Sequence, residues 1–473
     1  MPARAARSRT WERLLKPFSN VQPGEGARAA LMLLCIFLIM TAYYVMKTAR
    51  EGLILTGGTF GLRGDELKTY ATGAMALLLI VLVPAYDMLA DRHRRIRLIN
   101  LSYLLLLASL IAFFVLGEAG VPIGFAYFVW FGLVSAFMVA QFWSYATDLY
   151  NEDQGKRLFA LIATGGTLGA IIGPHIAKLA NTFTLMLIGA GLLVGAIILF
   201  NVIEHRAPRE RRDKEIEGPG GFALVLGDRS LLMIACLLLL TNVVNSTGEY
   251  LLSHAVSEHA IALVPDSSHP ELSGAMREAV IGEHRREIIK TFYSNFFIWV
   301  NALSFVIQAF LVSRVIKRIG VRHALFILPV IAFGAYWAIG MIGGLAVVRL
   351  AKTAENATDY SIQNTVWQSL FLKSDRAVKY KAKATMDTFF VRAGDAISAI
   401  VVALGIHQFG FGARELAFVN VALIIVWMGI AFAISHAHRM LQREVQHERH
   451  PMRRPSGLIY HYSRRHRDSA AGS

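Results

Sequence analysis

The stretch TAYYVMKTAREGLILT, residues 41–56, places three charged side chains inside an otherwise apolar helix. An uninterrupted apolar run, residues 31–40, leads into it, and Lys47, Arg50 and Glu51 follow at helical spacings of three and four, so they share one side of the helix. A charged group in hydrocarbon costs about 2.5 to 3.5 kcal/mol even on the lenient insertion scale, and such groups usually face a protein interior or a watery cavity. The stretch therefore predicts a membrane helix that lines an interior cavity.

The depth of Arg50 leaves a second interpretation open. Arg50 lies 22 residues after Arg28, which corresponds to about 33 Å of helical rise, whereas the hydrocarbon core is about 30 Å thick. Arg50 could thus reach the membrane surface instead of a cavity. The apolar residues 53–55 that follow it favour a longer, tilted helix with Arg50 in the interior.

Apolar runs of about twenty residues recur along the whole chain. The 473 residues are 55% hydrophobic with a mean hydropathy of +0.47, which predicts an all-α polytopic membrane protein. We expect two pseudo-symmetric halves of six helices each. The twelve predicted spans are 28–55, 67–90, 97–117, 121–147, 158–179, 182–203, 230–256, 288–314, 321–345, 347–372, 382–407 and 412–438.

The formal net charge of +15 does not indicate a nucleic-acid partner here. Lys and Arg gather after every second span and in the C-terminal tail, as the positive-inside rule describes, and the lipid bilayer is the partner that this pattern favours. Both termini are expected in the cytoplasm, with the protein integral to the bacterial inner membrane. Cys35 and Cys236 both fall in predicted spans, so neither a disulfide framework nor a metal site is expected.

The charged stretch after the sixth span divides the chain into segments. We predict a basic N-terminal segment, two membrane halves, a cytoplasmic linker and a basic cytoplasmic tail, with the bounds 1–27, 28–203, 204–229, 230–438 and 439–473. The N-terminal segment is either a helix on the inner membrane surface or a basic tail. One long loop, residues 257–287, is expected between the seventh and eighth spans.

Polar side chains at spacings of three and four mark further helix faces, as expected for the wall of an aqueous path. They come from spans four, seven, ten and eleven, and the candidate binding residues among them are Tyr145, Asn245, Glu249, Lys352, Lys383, Asp387 and Arg392. In span ten an alternative remains open, because Lys352 could simply be the structural partner of Glu355 three residues later.

Span five carries a glycine stripe at positions 165, 169 and 173, followed by Pro174. Such a stripe lets two helices approach closely, and proline can bend a helix. We favour close packing over a hinge.

Two charged turns occupy corresponding places in the halves. Asp91, Arg92 and Arg95 follow span two, and Lys317 and Arg318 follow span eight. The first turn resembles the loop pattern of the major facilitator superfamily, in which an Asp and basic residues stabilise one access state. The resemblance implies gating loops at both places, whereas ordinary positive-inside charge is the simpler alternative.

A second resemblance involves the opening stretch. The segment YYVMKTARE, residues 43–51, resembles the first-span motif of the ATP/ADP translocase family of plastids and intracellular bacteria. FWSYA at 142–146, GKRLF at 155–159 and KAKATMD at 381–387 are similar to its later landmarks. The resemblance implies a twelve-span antiporter of nucleotides, with Arg50, Glu249 and Lys383 at positions where the family keeps charges important for transport.

The charges themselves predict an anionic ligand. Several cations in a low-dielectric cavity produce a positive potential that attracts a polyanion, and guanidinium suits phosphate oxygens. We therefore expect a secondary transporter that exchanges a small anion, such as a nucleotide or another phosphorylated metabolite, by alternating access. No cofactor is expected. The alternatives are an exporter of an unrelated solute and a non-transporting membrane sensor; an enzyme is not favoured, because no nucleophile or metal constellation stands out.

Overall fold

The polypeptide forms long helices joined by short turns. The computed structural model describes residues 21–22, 25–57, 61–92, 95–205, 220–371 and 378–449. These residues form twelve long helical segments, α1 to α12, and a short helix, Gly221–Gly227, before α7. The first six are α1 Gly26–Thr56, α2 Gly64–Arg92, α3 Arg95–Glu118, α4 Gly124–Leu149, α5 Glu152–Ala177 and α6 Thr184–Glu204.

Three segments of the second half include π-helical turns. α7 is Arg229–Leu263, α8 runs through Gly274–Val306, the π turn Ile307–Leu311 and Val312–Ala324, and α9 is Ile327–Ile342. α10 runs through Leu345–Thr358, the π turn Asp359–Gln363 and Asn364–Leu370. α11 runs through Val378–Ala382, Lys383–Thr385, Met386–Phe390 and Val391–His407, of which the first and third are π turns, and α12 is Ala413–Arg449. Such turns are frequent at functional sites.

The apolar character of these helices agrees with a membrane protein. Among the described residues, nine helices are long and apolar enough to cross a membrane, and they belong to α1, α3 to α8, α11 and α12. α9 is apolar but shorter. The predicted all-α polytopic fold is therefore confirmed.

The segment predicted as a long loop, residues 257–287, is mostly helical, and that prediction is wrong. α7 continues to Leu263 and α8 begins at Gly274, so the connection is confined to residues 264–273. The polar composition of this region belongs to helix turns that extend past the apolar run, which hydropathy alone does not detect. Gly274 has a positive φ of 57°, a conformation that favours glycine where the chain turns into α8.

Close packing of α5 against α1 explains the glycine stripe. A β-carbon at Gly165 would lie 2.3 Å from the backbone oxygen of Leu33, and one at Gly169 would lie 2.5 Å from that of Phe37. No side chain fits at these distances, so the two backbones approach each other because these positions are glycine. The packing interpretation of the stripe is confirmed.

The halves α1–α6 and α7–α12 have distinct apolar cores. One buried core lies wholly within residues 21–203. The other consists mainly of residues from α7 to α12 and includes some from the first half, such as Tyr44 and Leu67. The halves meet where α2 packs against α11 and where α1 and α5 pack against α8.

Several predictions on domain boundaries lie outside the described residues. These are the N-terminal segment up to residue 20, most of the linker at 206–219 and the tail at 450–473. α12 remains helical to Arg449, beyond the span end predicted at 438. The five-part division of the chain and the cytoplasmic location of both termini stay predictions.

Candidate functional site

A cavity of about 280 Å³ lies between the two halves. α1, α2 and α4 form its first wall, and α7, α8, α10 and α11 form the second. The first wall includes Tyr43, Lys47, Arg50, Glu51, Lys68, Thr69, Thr72, Phe128 and Ser135, and the second includes Asn245, Ser246, Glu249, Tyr250, Phe297, Asn356, Tyr360, Arg392, Asp395 and Ser398. The structure thus brings six of the predicted residues to one cavity: Lys47, Arg50, Glu51, Asn245, Glu249 and Arg392.

Arg50 faces the interior of the protein, where it lines the cavity. Its side chain is 14% exposed and binds the Glu51 carboxylate at 2.5 Å. The guanidinium also lies over the Phe128 ring, 4.4 Å from its centre, where a cation–π contact adds to the ion pair. The cavity interpretation of Arg50 therefore agrees with the geometry.

Glu51 binds two cations at once. Its second carboxylate oxygen lies 2.8 Å from the Lys68 ammonium, and its side chain is only 2% exposed. A buried carboxylate needs such partners, because an unpaired buried charge is strongly unfavourable. Glu51 therefore neutralises part of the positive charge of the first wall.

Lys47 has an aromatic environment. Its ammonium lies 4.5 Å from the centre of the Phe297 ring, 5.4 Å from that of Tyr44 and 5.8 Å from that of Tyr43. Among the described residues, no carboxylate lies within 4.0 Å of this ammonium in the ion pairs we observe. Ring faces attract a cation but leave its charge uncompensated, so Lys47 retains its capacity to bind an anion.

Glu249 is a charged residue of the second wall and has the buried Lys352 behind it. Glu249 is 31% exposed and accepts a hydrogen bond of 3.2 Å from Asn356. Two ammonium groups lie farther away, Lys352 at 3.6 Å and Lys68 at 4.0 Å. Lys68 belongs to the first half and Glu249 to the second, so the attraction between these two residues links the walls of the cavity.

Lys352 is fully buried behind the cavity surface. It binds the Glu355 carboxylate at 2.9 Å and the side-chain oxygen of Asn245 at 3.0 Å. The Tyr336 hydroxyl donates a 2.8 Å hydrogen bond to the same oxygen of Glu355. This arrangement matches the alternative considered for Lys352, a structural partner of Glu355.

Arg392 lies on α11 at the edge of the cavity. It binds Asp395 at 3.0 Å, and Asp395 accepts a second hydrogen bond, of 2.6 Å, from Ser246 on α7. With a side chain 34% exposed, Arg392 still presents part of its guanidinium to the cavity.

Tyr145, Lys383 and Asp387 are not among the residues that line this cavity. The Tyr145 hydroxyl donates a 3.0 Å hydrogen bond to Glu204 inside the first half. Lys383 and Asp387 form an ion pair, and the Trp367 indole donates a 2.8 Å hydrogen bond to Asp387. A substrate role for these three residues stays a prediction.

The predicted gating turns lie at the end of the bundle where α2 ends and α3 begins. Asp91 and Arg92 end α2, and Arg95 begins α3. Residues 93 and 94 and the side chains of residues 91–95 lie outside the described structure. Lys317 and Arg318 are exposed in the last part of α8, just before a kink at Gly320, which has φ 75°. Their gating role stays a prediction.

The opposite end of the bundle, where α1 ends and α2 begins, is held together by contacts between the halves. His254 on α7 contacts the Asp65 carboxylate at 2.7 Å, and His407 on α11 contacts that of Glu66 at 3.2 Å. Arg63 forms an ion pair with Glu258. We call this set of residues, 63–66 with 254, 258 and 407, the end clamp.

The charge of the cavity is not uniform, which refines the prediction of a cationic cavity. Among the described lining residues, the first wall holds three cations and one carboxylate: Lys47, Arg50, Lys68 and Glu51. The second wall holds one cation and two carboxylates: Arg392, Glu249 and Asp395. The excess of positive charge therefore lies on the first wall alone.

Comparison with known proteins identifies the family. Residues 29–378 match the model of the Major Facilitator Superfamily. The chain belongs to the major facilitator superfamily. It is accordingly an integral membrane transporter and not an enzyme. None of the curated proteins matches this sequence.

Solved structures of major facilitator transporters share the fold. A bacterial homologue of the human lysosomal transporter Spinster, in an inward-facing and unoccupied conformation, has a TM-score of 0.59 at 15% identity over 86% of this chain and 97% of that one. The POT family transporter PepTSo has a TM-score of 0.59 at 14% identity over 87% and 98%. The nucleoside transporter NupG has a TM-score of 0.54 at 13% identity over 86% and 98%. At such identities, only the fold is shared.

Proposed function

We propose that this major facilitator protein is a secondary transporter of compact organic anions, phosphorylated metabolites in particular. The observation that carries the proposal is the first wall of the cavity. There the Lys47 ammonium lies over aromatic rings, with no ion-pair partner within 4.0 Å among the described residues, and Arg50 follows on the same helix. An anion that enters the cavity gains an ion pair with Lys47 without first breaking one. Arg50 and Lys68 add to the positive potential that attracts it.

The size of the cavity favours a compact substrate. Small-molecule sites usually have volumes of about 300 to 1,000 Å³, and this cavity, at about 280 Å³, lies at the lower limit. A phosphate ester of a short carbon chain suits this volume better than ATP. Nucleotide exchange is the second candidate, and the motif YYVMKTARE at 43–51, which resembles the ATP/ADP translocase motif, supports it.

We infer exchange as the mode of transport from the charge pairs that span the halves. Lys68 binds Glu51 and also lies 4.0 Å from Glu249 of the other half. These contacts and the end clamp stabilise the present conformation. A bound anion competes for Lys68 and Arg50, weakens the link between the halves and so promotes reorientation. Without a bound substrate the carrier changes back slowly to the conformation open on the other side. Binding of a counter-substrate accelerates this change.

Uptake into proteoliposomes tests the proposal. Labelled glycerol 3-phosphate, ADP and ATP are offered to vesicles that contain the purified protein and are either empty or preloaded with the same unlabelled compound. We expect at least one compound to enter, and to enter several-fold faster when the vesicles are preloaded. No uptake of any of them would overturn the anion assignment. Uptake that does not depend on preloading would overturn exchange alone.

We also propose that the protein lies in the bacterial inner membrane, with the end that carries Arg92 and Lys317 towards the cytoplasm. The concentration of Lys and Arg in the loops at that end supports this orientation. In that orientation, the end clamp lies on the outer side of the membrane. Labelling of Glu258→Cys by a membrane-impermeant maleimide in intact cells tests it, in a protein variant that lacks the exposed Cys236 and keeps only the buried Cys35 besides. Labelling only after lysis would contradict the proposal.

A further inference from the structure

Two charged groups of the cavity lack a close ion-pair partner among the described residues, and they lie on opposite walls. Glu51 is 2% exposed with cations at 2.5 and 2.8 Å, and Arg392 has Asp395 at 3.0 Å. Lys47 and Glu249 differ, since Lys47 contacts rings and Glu249 has no cation closer than 3.6 Å among the described residues. Among the described lining residues, Lys47 is therefore the cation without a paired carboxylate, and Glu249 is the carboxylate without a close cation.

We propose that the substrate is a zwitterion, which carries a protonated amine as well as an anionic group, and that Glu249 selects it. This inference rests on the proposed function. The anionic group binds at Lys47 on α1, and the amine donates to the Glu249 carboxylate on α7. Because each group contacts a different half, one molecule links the two walls that must move relative to each other during transport.

Glu249 also acts against competing substrates. A simple anion next to Lys47 places a second negative charge in the same low-dielectric cavity as the exposed Glu249 carboxylate, and like charges there repel each other. An ammonium group on the substrate replaces this repulsion with a charge-assisted hydrogen bond. Selectivity of this kind needs an unfavourable contact for the wrong ligand as well as a favourable one for the right ligand. Glu249 supplies both.

The surroundings of Glu249 fit this role. Asn356 donates to Oε1 at 3.2 Å and so holds the carboxylate in place. Lys352, at 3.6 Å, is engaged more closely by Glu355 at 2.9 Å, and Lys68 is engaged by Glu51 at 2.8 Å. Both lysines are therefore bound more closely by other carboxylates, and the exposed part of Glu249 faces the cavity.

Binding of two matched probes to the purified protein tests the inference. O-Phosphoethanolamine and ethylene glycol phosphate have the same phosphate and carbon chain, but the first has an ammonium group where the second has a hydroxyl. We expect the wild-type protein to bind phosphoethanolamine about tenfold more tightly or better, as one charge-assisted hydrogen bond allows. Glu249→Gln should bring the ratio of the two affinities close to one, whereas Glu249→Asp should keep part of it.

Controls separate selectivity from folding and from the proposed function. Glutamine keeps an oxygen that accepts from Asn356, so Glu249→Gln should retain the melting temperature of the wild type. Lys47→Met should weaken the binding of both probes by the same factor. Equal wild-type affinities for the probes, or an unchanged ratio in a folded Glu249→Gln, would overturn the zwitterion inference but leave anion transport standing. If neither probe binds, the inference also fails, and the proposed function then depends on the vesicle uptake of glycerol 3-phosphate, ADP and ATP.

Discussion

Glu51 and Lys47, which lie about one helix turn apart on α1, have different roles. Glu51 lies against two cations and is almost fully buried, so its task is to neutralise them. Lys47, four residues earlier, contacts three aromatic rings and keeps its charge available. Anion binding requires both the neutralised cations and the available one. Unpaired cations alone would be too unfavourable to bury, whereas a cavity in which every cation is paired would not attract an anion.

Glu51→Gln should destabilise the protein far more than the loss of an exposed ion pair. The change leaves Arg50 and Lys68 buried without their carboxylate, and breaking a buried pair in this way typically costs about 3 to 5 kcal/mol. Glu258→Gln is the matched control, because its ion pair with Arg63 has side chains that are 52% and 48% exposed and such pairs contribute about 0 to 1 kcal/mol. Melting temperatures of both variants in detergent measure the difference. Equal melting temperatures would contradict the assigned role of Glu51.

The sequence predicted Lys47, Arg50, Glu51 and Glu249 at the cavity, because ionisable groups within an apolar run are conspicuous. It did not predict Lys68, which lies near the start of span two, where a lysine is indistinguishable from an ordinary helix-end charge. Pairing between helices is also invisible to spacing along one helix, so the contact of Lys68 with Glu51 required the fold.

The packed helices α1 and α5 support the first wall of the cavity. α1 carries the charged stretch, and the glycines of α5 allow its backbone to lie directly against α1. The spacing of these glycines was sufficient to predict close packing but not which helix lies opposite. In contrast, the polar turns of α7 and α8 beyond the apolar runs were missed, since hydropathy detects the part of a helix in lipid and not its continuation outside.

Gly169→Ala should displace α5 from α1 and destabilise the first half. Its new β-carbon would lie 2.5 Å from the backbone oxygen of Phe37, and backbone cannot yield as a flexible side chain can. Overpacking of this kind typically costs about 1 to 3 kcal/mol. Gly191→Ala on α6 is the matched control, because among the described residues no atom outside the adjoining helix backbone lies within 4 Å of a β-carbon placed there. The prediction fails if thermal unfolding in detergent gives the same midpoint for both variants.

At the scale of the whole molecule, the halves are held at one end by the end clamp and enclose the cavity beside it. The proposed alternating access then requires these contacts to break. The two-half organisation was predictable from the twelve apolar runs, but the conformation was not. Which end is closed depends on contacts between residues as distant in sequence as Asp65 and His254.

A covalent link across the end clamp should stop transport. Arg63→Cys and Glu258→Cys replace an exposed pair on opposite halves, and a short bis-maleimide joins them in a variant that also lacks Cys236. We expect loss of nearly all exchange in proteoliposomes after cross-linking. The single Arg63→Cys variant with the same reagent should retain its exchange rate. Unaltered exchange by the fully cross-linked protein would show that this end need not open.

The most direct test of an anion site at Lys47 is the concentration dependence of phosphate-ester exchange in three proteins. These are the wild type, Lys47→Met and Arg349→Met, the last of which removes an exposed cation on α10 that does not line the cavity. We predict that Lys47→Met lowers kcat/KM by about tenfold or more, as loss of one charge-assisted contact implies, while Arg349→Met stays close to the wild type. Wild-type kinetics in Lys47→Met would contradict the assignment of this cavity as the anion-binding site.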